Sequence, residues 1–400
     1  MTTYNFDKIT NRKGTNCLKY DFAVERGKPA DVLPLWVADM DFPVSEEITK
    51  SLHAAVEHGI YGYTQPKDAY YNAVMNWMER NHNWKTEREW IVKTPGVVFA
   101  LGAAVKAFTD PGDAILIQNP VYYPFTNIIR DNDRRVVDNT LIYEKTAGQS
   151  GDNGYRIDFE DFERKLEQEH IKLFILCNPH NPVGRVWTVE ELQQLGEICL
   201  RHHVIVVSDE IHNDFVYPGY EHTVFATVDP RFAEFTVTCT APSKTFNLAG
   251  LQISNIFIPN EKLRKAFQTE IDKTGYDEPN ALGIVACEAA YRAGEDWLDQ
   301  LRAYLLKNLN FLRNFLQEKI PQIHLVEPEG TYLVWLDCSE LGITGDELDQ
   351  FIVDKAGLWL DGGSMFGPSG AAFQRVNIAC PQATLELALN KLKAAVDNLK

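Results

Sequence analysis

The stretch "CTAPSKTFNLAG", Cys239 to Gly250, sets one lysine among small and apolar residues, directly after the β-rich run "FTVT". A lysine ammonium is strongly hydrated and keeps its head in water where it can. Lys244 therefore either reaches the surface along its stem or offers its amine for chemistry. Two other features stand at comparable points of the chain. "VIVVSDE" brings a β-branched run to Asp209, and "TPGVVFALGAAVKAF" leads from a Gly-containing turn into a helical pattern. An amine can hold an aldehyde covalently, a buried acid can keep a ring nitrogen protonated, and a helix N-terminus can bind phosphate through free N–H groups.

Other chemistries lack their fingerprints. No GxGxxG follows a strand, and GxxxxGK[ST], HExxH and GxSxG are absent. The seven cysteines are odd in number, widely spaced and form no CxxC pair. Neither a disulfide framework nor a metal site is expected, and the thiols read as small core residues in a reducing compartment. The three features that remain are the ones a pyridoxal 5'-phosphate site needs.

The bulk numbers agree with a soluble enzyme. The 400 residues are 45% hydrophobic and 24% charged, enough for a substantial core. The net charge of −17 argues against nucleic acid or an anionic membrane as partner, because both would repel it. "MTTYNFDKITNRKG" has no signal-peptide apolar segment, and no run is long enough to span a bilayer, so a cytoplasmic protein is expected.

These residues need a scaffold that brings them together. From about residue 90 to 260, strand and helix patterns alternate. "AILIQNP", "IKLFILCNP" and "VIVVSDE" read as buried strands, and "TVEELQQLGEICLRHH" as a helix opened by a Thr188–Glu191 capping box. Such units build an α/β fold whose mostly parallel sheet is sandwiched by helices. The chain is strongly helical from about 260 to 320. It is mixed thereafter, through "GTYLVWLD", "GDELDQFIVDKAG", "FQRVNIA" and "QATLELALNKLKAAVDNL". A large cofactor-binding domain over 55–285 and a smaller α+β domain from 1–54 and 286–400 are expected. Ligands of such sheets collect past the carboxyl ends of the strands. Those positions hold Asn119-Pro120, Asn178 to Gly184, Asp209 to His212 and Ser243-Lys244.

"SDEIH", "LCNPHNPVGRVW", "APSKTFNLAGLQ" and "FQRVNIACP", in this order, resemble the fold-type-I pyridoxal phosphate enzymes. Within them, "LWVADMDF", "YGYT", "VYYPF" and "EGTYLVWLD" resemble the cystathionine β-lyase branch, the C–S lyases of MalY/PatB type. The similarity runs from about residue 5 to the C-terminus. It implies that Lys244 binds the cofactor covalently and later takes the substrate's Cα proton. Asp209 would pair with the ring nitrogen, and Asn181 with the phenolic oxygen and the substrate. His212 stands where aminotransferases of this fold commonly carry a tyrosine. Tyr122 matches the aromatic that stacks on the ring, and Tyr123 is a candidate active-site hydroxyl.

For the phosphate the resemblance implies N–H groups of Gly96, Val97 and Val98, with hydroxyls from Ser243 and Thr240. Gln252 replaces an arginine that many relatives place eight residues after the lysine, so the helix N-terminus must contribute more. Tyr63 matches a tyrosine sent across a dimer interface to the phosphate, which implies a homodimer with shared sites. Arg375 matches the arginine that holds the substrate's α-carboxylate, and the Ala38 N–H is a second donor for it. The implied activity is β-elimination of L-cystathionine or a related cysteine S-conjugate to thiol, pyruvate and ammonia. An aminotransferase on the same fold would share most of these residues, and a regulatory protein could keep the fold and the cofactor.

Overall fold

The computed structural model describes residues 2–145 and 153–399. Its centre is a seven-stranded sheet of β1 (Ile91–Thr94), β2 (Ala114–Ile117), β3 (Arg135–Asp138), β4 (Leu173–Cys177), β5 (Ile205–Asp209), β6 (Thr236–Thr240) and β7 (Ser254–Phe257). The spatial order is β1-β7-β6-β5-β4-β2-β3. All pairs are parallel except those of β7, which runs antiparallel to both β1 and β6.

Alternation along the strands explains why both faces are covered. Ile115, Ile117, Leu173 and Ile175 pack with Ala100, Leu101 and Val105 of the helix Val97–Phe108 and with Phe267. Their neighbours Leu116, Phe174 and Leu176 point the other way, onto Phe162, Leu166, Leu192 and Leu195. A strand apolar at every position is stable only between two helical layers. The helix Val189–Arg201 begins with the expected capping box, Thr188 with Glu191.

A second sheet is antiparallel and made of β8 (His324–Val326), β9 (Leu333–Asp337), β10 (Asp361–Gly362) and β11 (Phe373–Asn377), in the order β8-β9-β11-β10. The short strand Leu33–Pro34 pairs in parallel with Leu358–Trp359, tying the N-terminal segment to this part of the chain. The expected domain limits at 54/55 and 285/286 fall inside the helices Glu46–His58 and Ala281–Ala293, which pack against one another.

The loop after β4 is held by Gly184, at φ +77°. Its carbonyl accepts from the N–H groups of Glu329 and Gly330 at 2.8 and 3.0 Å, joining this loop to the start of β9. A Cβ at Gly184 would lie 2.9 Å from Cβ of Pro328. Left-handed backbone and overpacking each cost a non-glycine residue about 1–3 kcal/mol. Gly184→Ala is therefore expected to lower stability by roughly 3 kcal/mol in urea denaturation; an unchanged midpoint would contradict this role for the loop.

Candidate active site

A cavity of about 180 Å³ opens past the carboxyl ends of β4, β5 and β6 and beside the start of the helix Val97–Phe108. It is lined by Ala38, Gly96, Val97, Val98, Tyr122, Asn181, Asp209, His212, Ser243 and Lys244, together with Pro95, Cys177, Ile211 and Ala249. Ten of the residues singled out in the sequence thus share one wall system.

Lys244 stands on the one-turn helix Pro242–Thr245 that follows β6. Its stem is half-buried, and its ammonium is pushed down to about 8 from an ordinary 10.5. Desolvation is the largest cause and the positive charge of Arg375 adds to it, while Asp39 and Asp209 oppose it. Asp209, the last residue of β5, shifts the other way. Burial pushes its carboxyl up to about 7, against a hydrogen bond from the Ile211 N–H at 3.2 Å and the charge of Lys244. His212 is buried and held neutral, because desolvation and then the charges of Lys244 and Arg375 depress its pKa. Its ring meets Tyr332 edge-to-face at 5.9 Å.

Four expected residues do not line the cavity. Arg375, in β11, is buried and donates through Nη1 to Asn181 Oδ1 at 3.0 Å, so it touches a residue that does. Tyr123 is half-buried, edge-on to Phe366 at 6.1 Å and tilted against Tyr122. The Thr240 hydroxyl is buried and donates to the Asn255 carbonyl at 2.9 Å, across to the neighbouring strand β7. Its proton is therefore committed within the sheet, and the cavity's hydroxyl comes from Ser243. Tyr63 is 95% exposed and shares a separate hollow with Tyr61, Thr64 and residues 278–282. Gln252 has left-handed backbone at φ +51°.

Sequence reasoning missed the groups that hold these side chains. Asp361 lies directly opposite Arg375 in the β10–β11 ladder and forms a buried ion pair with it. Nη2 of Arg375 also donates to the Trp36 carbonyl at 3.1 Å. The segment bearing Ala38 is clamped from three sides. Tyr332 donates to the Ala38 carbonyl at 2.7 Å, and Asn377 Nδ2 to those of Val37 and Asp39 at 2.8 Å each. Asn247 donates to the carbonyls of Met40 and Phe42 and accepts from the Met40 N–H. None of these contacts has a local spacing signal, because each joins residues far apart in sequence.

The donor set fits a phosphorylated, ring-protonated aldehyde. The helix Val97–Phe108 starts at Gly96 without a side-chain cap, which leaves first-turn N–H groups for an anion. A carboxyl with a pKa raised by burial gains most from a cationic N–H partner. Among the described residues, His212 Nδ1 and Arg375 Nε are buried polar atoms without a hydrogen-bond partner.

Comparison with known proteins gives the same picture over the whole chain. The family of class I and II aminotransferases matches residues 30–392. Cystathionine β-lyase PatB of Bacillus subtilis (strain 168) is 46% identical over 392 residues, which is 98% of this chain and 100% of that protein. Cystalysin of Treponema denticola, whose crystal contains pyridoxal 5'-phosphate, is 37% identical with a TM-score of 0.95, covering 100% of both chains. The pyridoxal-phosphate-bound C–S lyase of Staphylococcus hominis is 35% identical with a TM-score of 0.91, over 99% of this chain and 98% of that one.

The depressed pKa of Lys244 sets a pH dependence. Only the neutral amine attacks an aldehyde, so its population rises as pH climbs through the folded value. Cofactor-free protein is expected to capture pyridoxal 5'-phosphate at a rate that climbs through pH about 8 and then levels off. Stopped-flow absorbance, with borohydride trapping and peptide mapping to Lys244, reads this directly. A rate still climbing towards 10.5 would mean that the amine is not desolvated.

Proposed function

The chain belongs to the class I and II aminotransferase family, and from that premise we infer a pyridoxal-phosphate-dependent carbon–sulfur β-lyase. Its substrate is L-cystathionine or a related cysteine S-conjugate, by likeness to the cystathionine β-lyase that it matches along its full length. The observation that carries this reading is the shared cavity of Lys244, Asp209 and Asn181, with Arg375 bonded to Asn181.

Bound there, pyridoxal phosphate supplies an aldehyde for the substrate's amine and a protonated ring that draws electrons from Cα. Lys244 holds the cofactor until substrate arrives, and Asp209 keeps the proton on the ring nitrogen. The first N–H groups of the helix Val97–Phe108 and the Ser243 hydroxyl receive the phosphate, while Tyr122 covers the ring. Arg375, steadied by Asp361 and Asn181, takes the α-carboxylate, and the Ala38 N–H supports it. This grip orients the Cα–H bond, and Lys244 Nζ, which gives up its charge more readily than an ordinary lysine, removes the proton. Cleavage of Cβ–S then yields the thiol. With one water, L-cystathionine gives homocysteine, pyruvate and ammonia. An aminotransferase would return that proton to the cofactor instead; neutral His212, in place of the tyrosine common in those enzymes, supports the lyase.

The working unit in this reading is a cytoplasmic homodimer. Tyr63, exposed at the surface of one chain and absent from that chain's cavity lining, reaches the phosphate of the partner subunit's site in this reading. Light scattering is expected to give a two-chain particle, and full activity in a monomer would overturn the shared site.

Holoenzyme given L-cystathionine should release thiol and pyruvate in equal amounts without any keto-acid acceptor. Lys244→Ala should lose turnover and the visible band of the bound cofactor together. Arg375→Lys, which cannot form the planar two-point grip, should raise KM about 10- to 100-fold. Product that appears only when a keto acid is added would identify an aminotransferase.

A further inference from the structure

Asp214 does not line the cavity and has no part in the chemistry above. It lies two residues beyond His212 and is 3% exposed, yet donors from three separate elements converge on its carboxylate. From the helix Asp68–His82, Trp77 Nε1 donates to Oδ1 at 3.2 Å and His82 Nε2 lies 3.0 Å from the same oxygen. From the helix Glu295–Lys319, Arg302 Nη2 stands at 3.8 Å, and Arg302 Nε donates to the Asp214 carbonyl at 2.7 Å. The remaining oxygen, Oδ2, accepts from the Thr245 hydroxyl at 2.6 Å. Thr245 is the residue after Lys244 and is fully buried.

The lysine's own support is slight. The helix Pro242–Thr245 is a single turn, closed by the Phe246 N–H on the Pro242 carbonyl and followed by the Leu248 N–H on the Ser243 carbonyl. So short a turn fixes several dihedrals for few hydrogen bonds and is not stable by itself. The Thr245 hydroxyl ties this turn to an anion that two long helices hold in place. Burial works to raise the Asp214 carboxyl, but the His82 hydrogen bond and charge, with Arg302 and Thr245, bring it below its usual value. It is therefore an anion at neutral pH, the stronger acceptor. A carboxylate is an expensive way to fill an interior, and here it receives the hydroxyl of the residue that follows Lys244.

We propose that Asp214 is a positioning residue for Lys244, fixing the turn that bears the lysine through the Thr245 hydroxyl. The proposal rests on Lys244 being the reactive amine. Misplacing a reacting group by a fraction of an ångström slows the step that it performs more than it weakens substrate binding elsewhere.

The test compares Thr245→Val and Thr245→Ala, which remove the hydroxyl in two ways, with Thr245→Ser, which keeps it. Two quantities are read on folded protein: kcat and KM for thiol release, and the rate at which cofactor-free protein captures pyridoxal 5'-phosphate. The hydroxyl-less variants should lose about tenfold in kcat and in capture rate, with KM within twofold, and Thr245→Ser should stay within threefold of the parent on all three. Parent-like kcat and capture in either hydroxyl-less variant would overturn the proposal, as would an equal loss in Thr245→Ser. If the parent released no thiol at all, the lyase reading would fall, while the capture rates would still decide the role of Asp214.

Discussion

Desolvation at the carboxyl ends of β5 and β6 is the constraint on which the rest of the molecule turns. It acts on two groups of opposite charge and moves them towards each other: the Lys244 amine down to about 8, the Asp209 carboxyl up to about 7. In water these groups would differ in pKa by several units, and both would be fully charged at neutral pH. In the cavity each sits near the point at which it changes state. An amine that gives up its proton readily and an acid that gains by meeting a cation are both results of one physical cause, the burial of these strand ends beside the segment that carries Ala38.

That burial needs support, because the segment over the cavity is not part of either main sheet. Asn247 lies three residues after Lys244, Asn377 two residues after Arg375, and Tyr332 at the entrance to β9. All three bond the backbone between Val37 and Phe42. The residues that flank the amine and the arginine therefore also fasten the cover above them. On its outer side, Asp39 pairs with Arg12, and Asp41 with Arg12 and with fully buried Lys19. A buried pair of this kind contributes mainly by holding one geometry rather than by adding stability.

What the sequence disclosed followed from the kind of signal each feature leaves. Strands buried on both faces read clearly as continuous apolar runs, and the helix at Val189 was announced by its capping box. The direction of β7 was not legible, since an apolar strand looks the same parallel or antiparallel. β3, at the sheet's edge and half exposed, has no continuous apolar run at all. The cavity residues were legible because the resemblance rests on short motifs at strand ends. Their partners Asp361, Asp214 and Asn377 were not, because a cross-strand pair or an acid joining three helices has no local spacing. Thr240 shows the converse: its place in the motif suggested a phosphate, yet its hydroxyl donates to the carbonyl of its neighbour across the ladder, Asn255.

Asp361 also changes how Arg375 must be understood. An arginine whose donors are all satisfied gains little from one more acceptor, and a buried guanidinium already neutralised by a carboxylate attracts a second anion weakly. Arg375 escapes this by its division of labour. Nη1 is engaged by Asn181, and Nη2 by Asp361 and the Trp36 carbonyl, so the plane of the guanidinium is fixed from both sides. Nε is buried and has no partner among the described residues. An unmet buried donor raises the energy of the free protein, and an incoming carboxylate that satisfies it recovers this cost on binding. Asp361 thus supplies rigidity, and Nε keeps a donor open for an incoming acceptor.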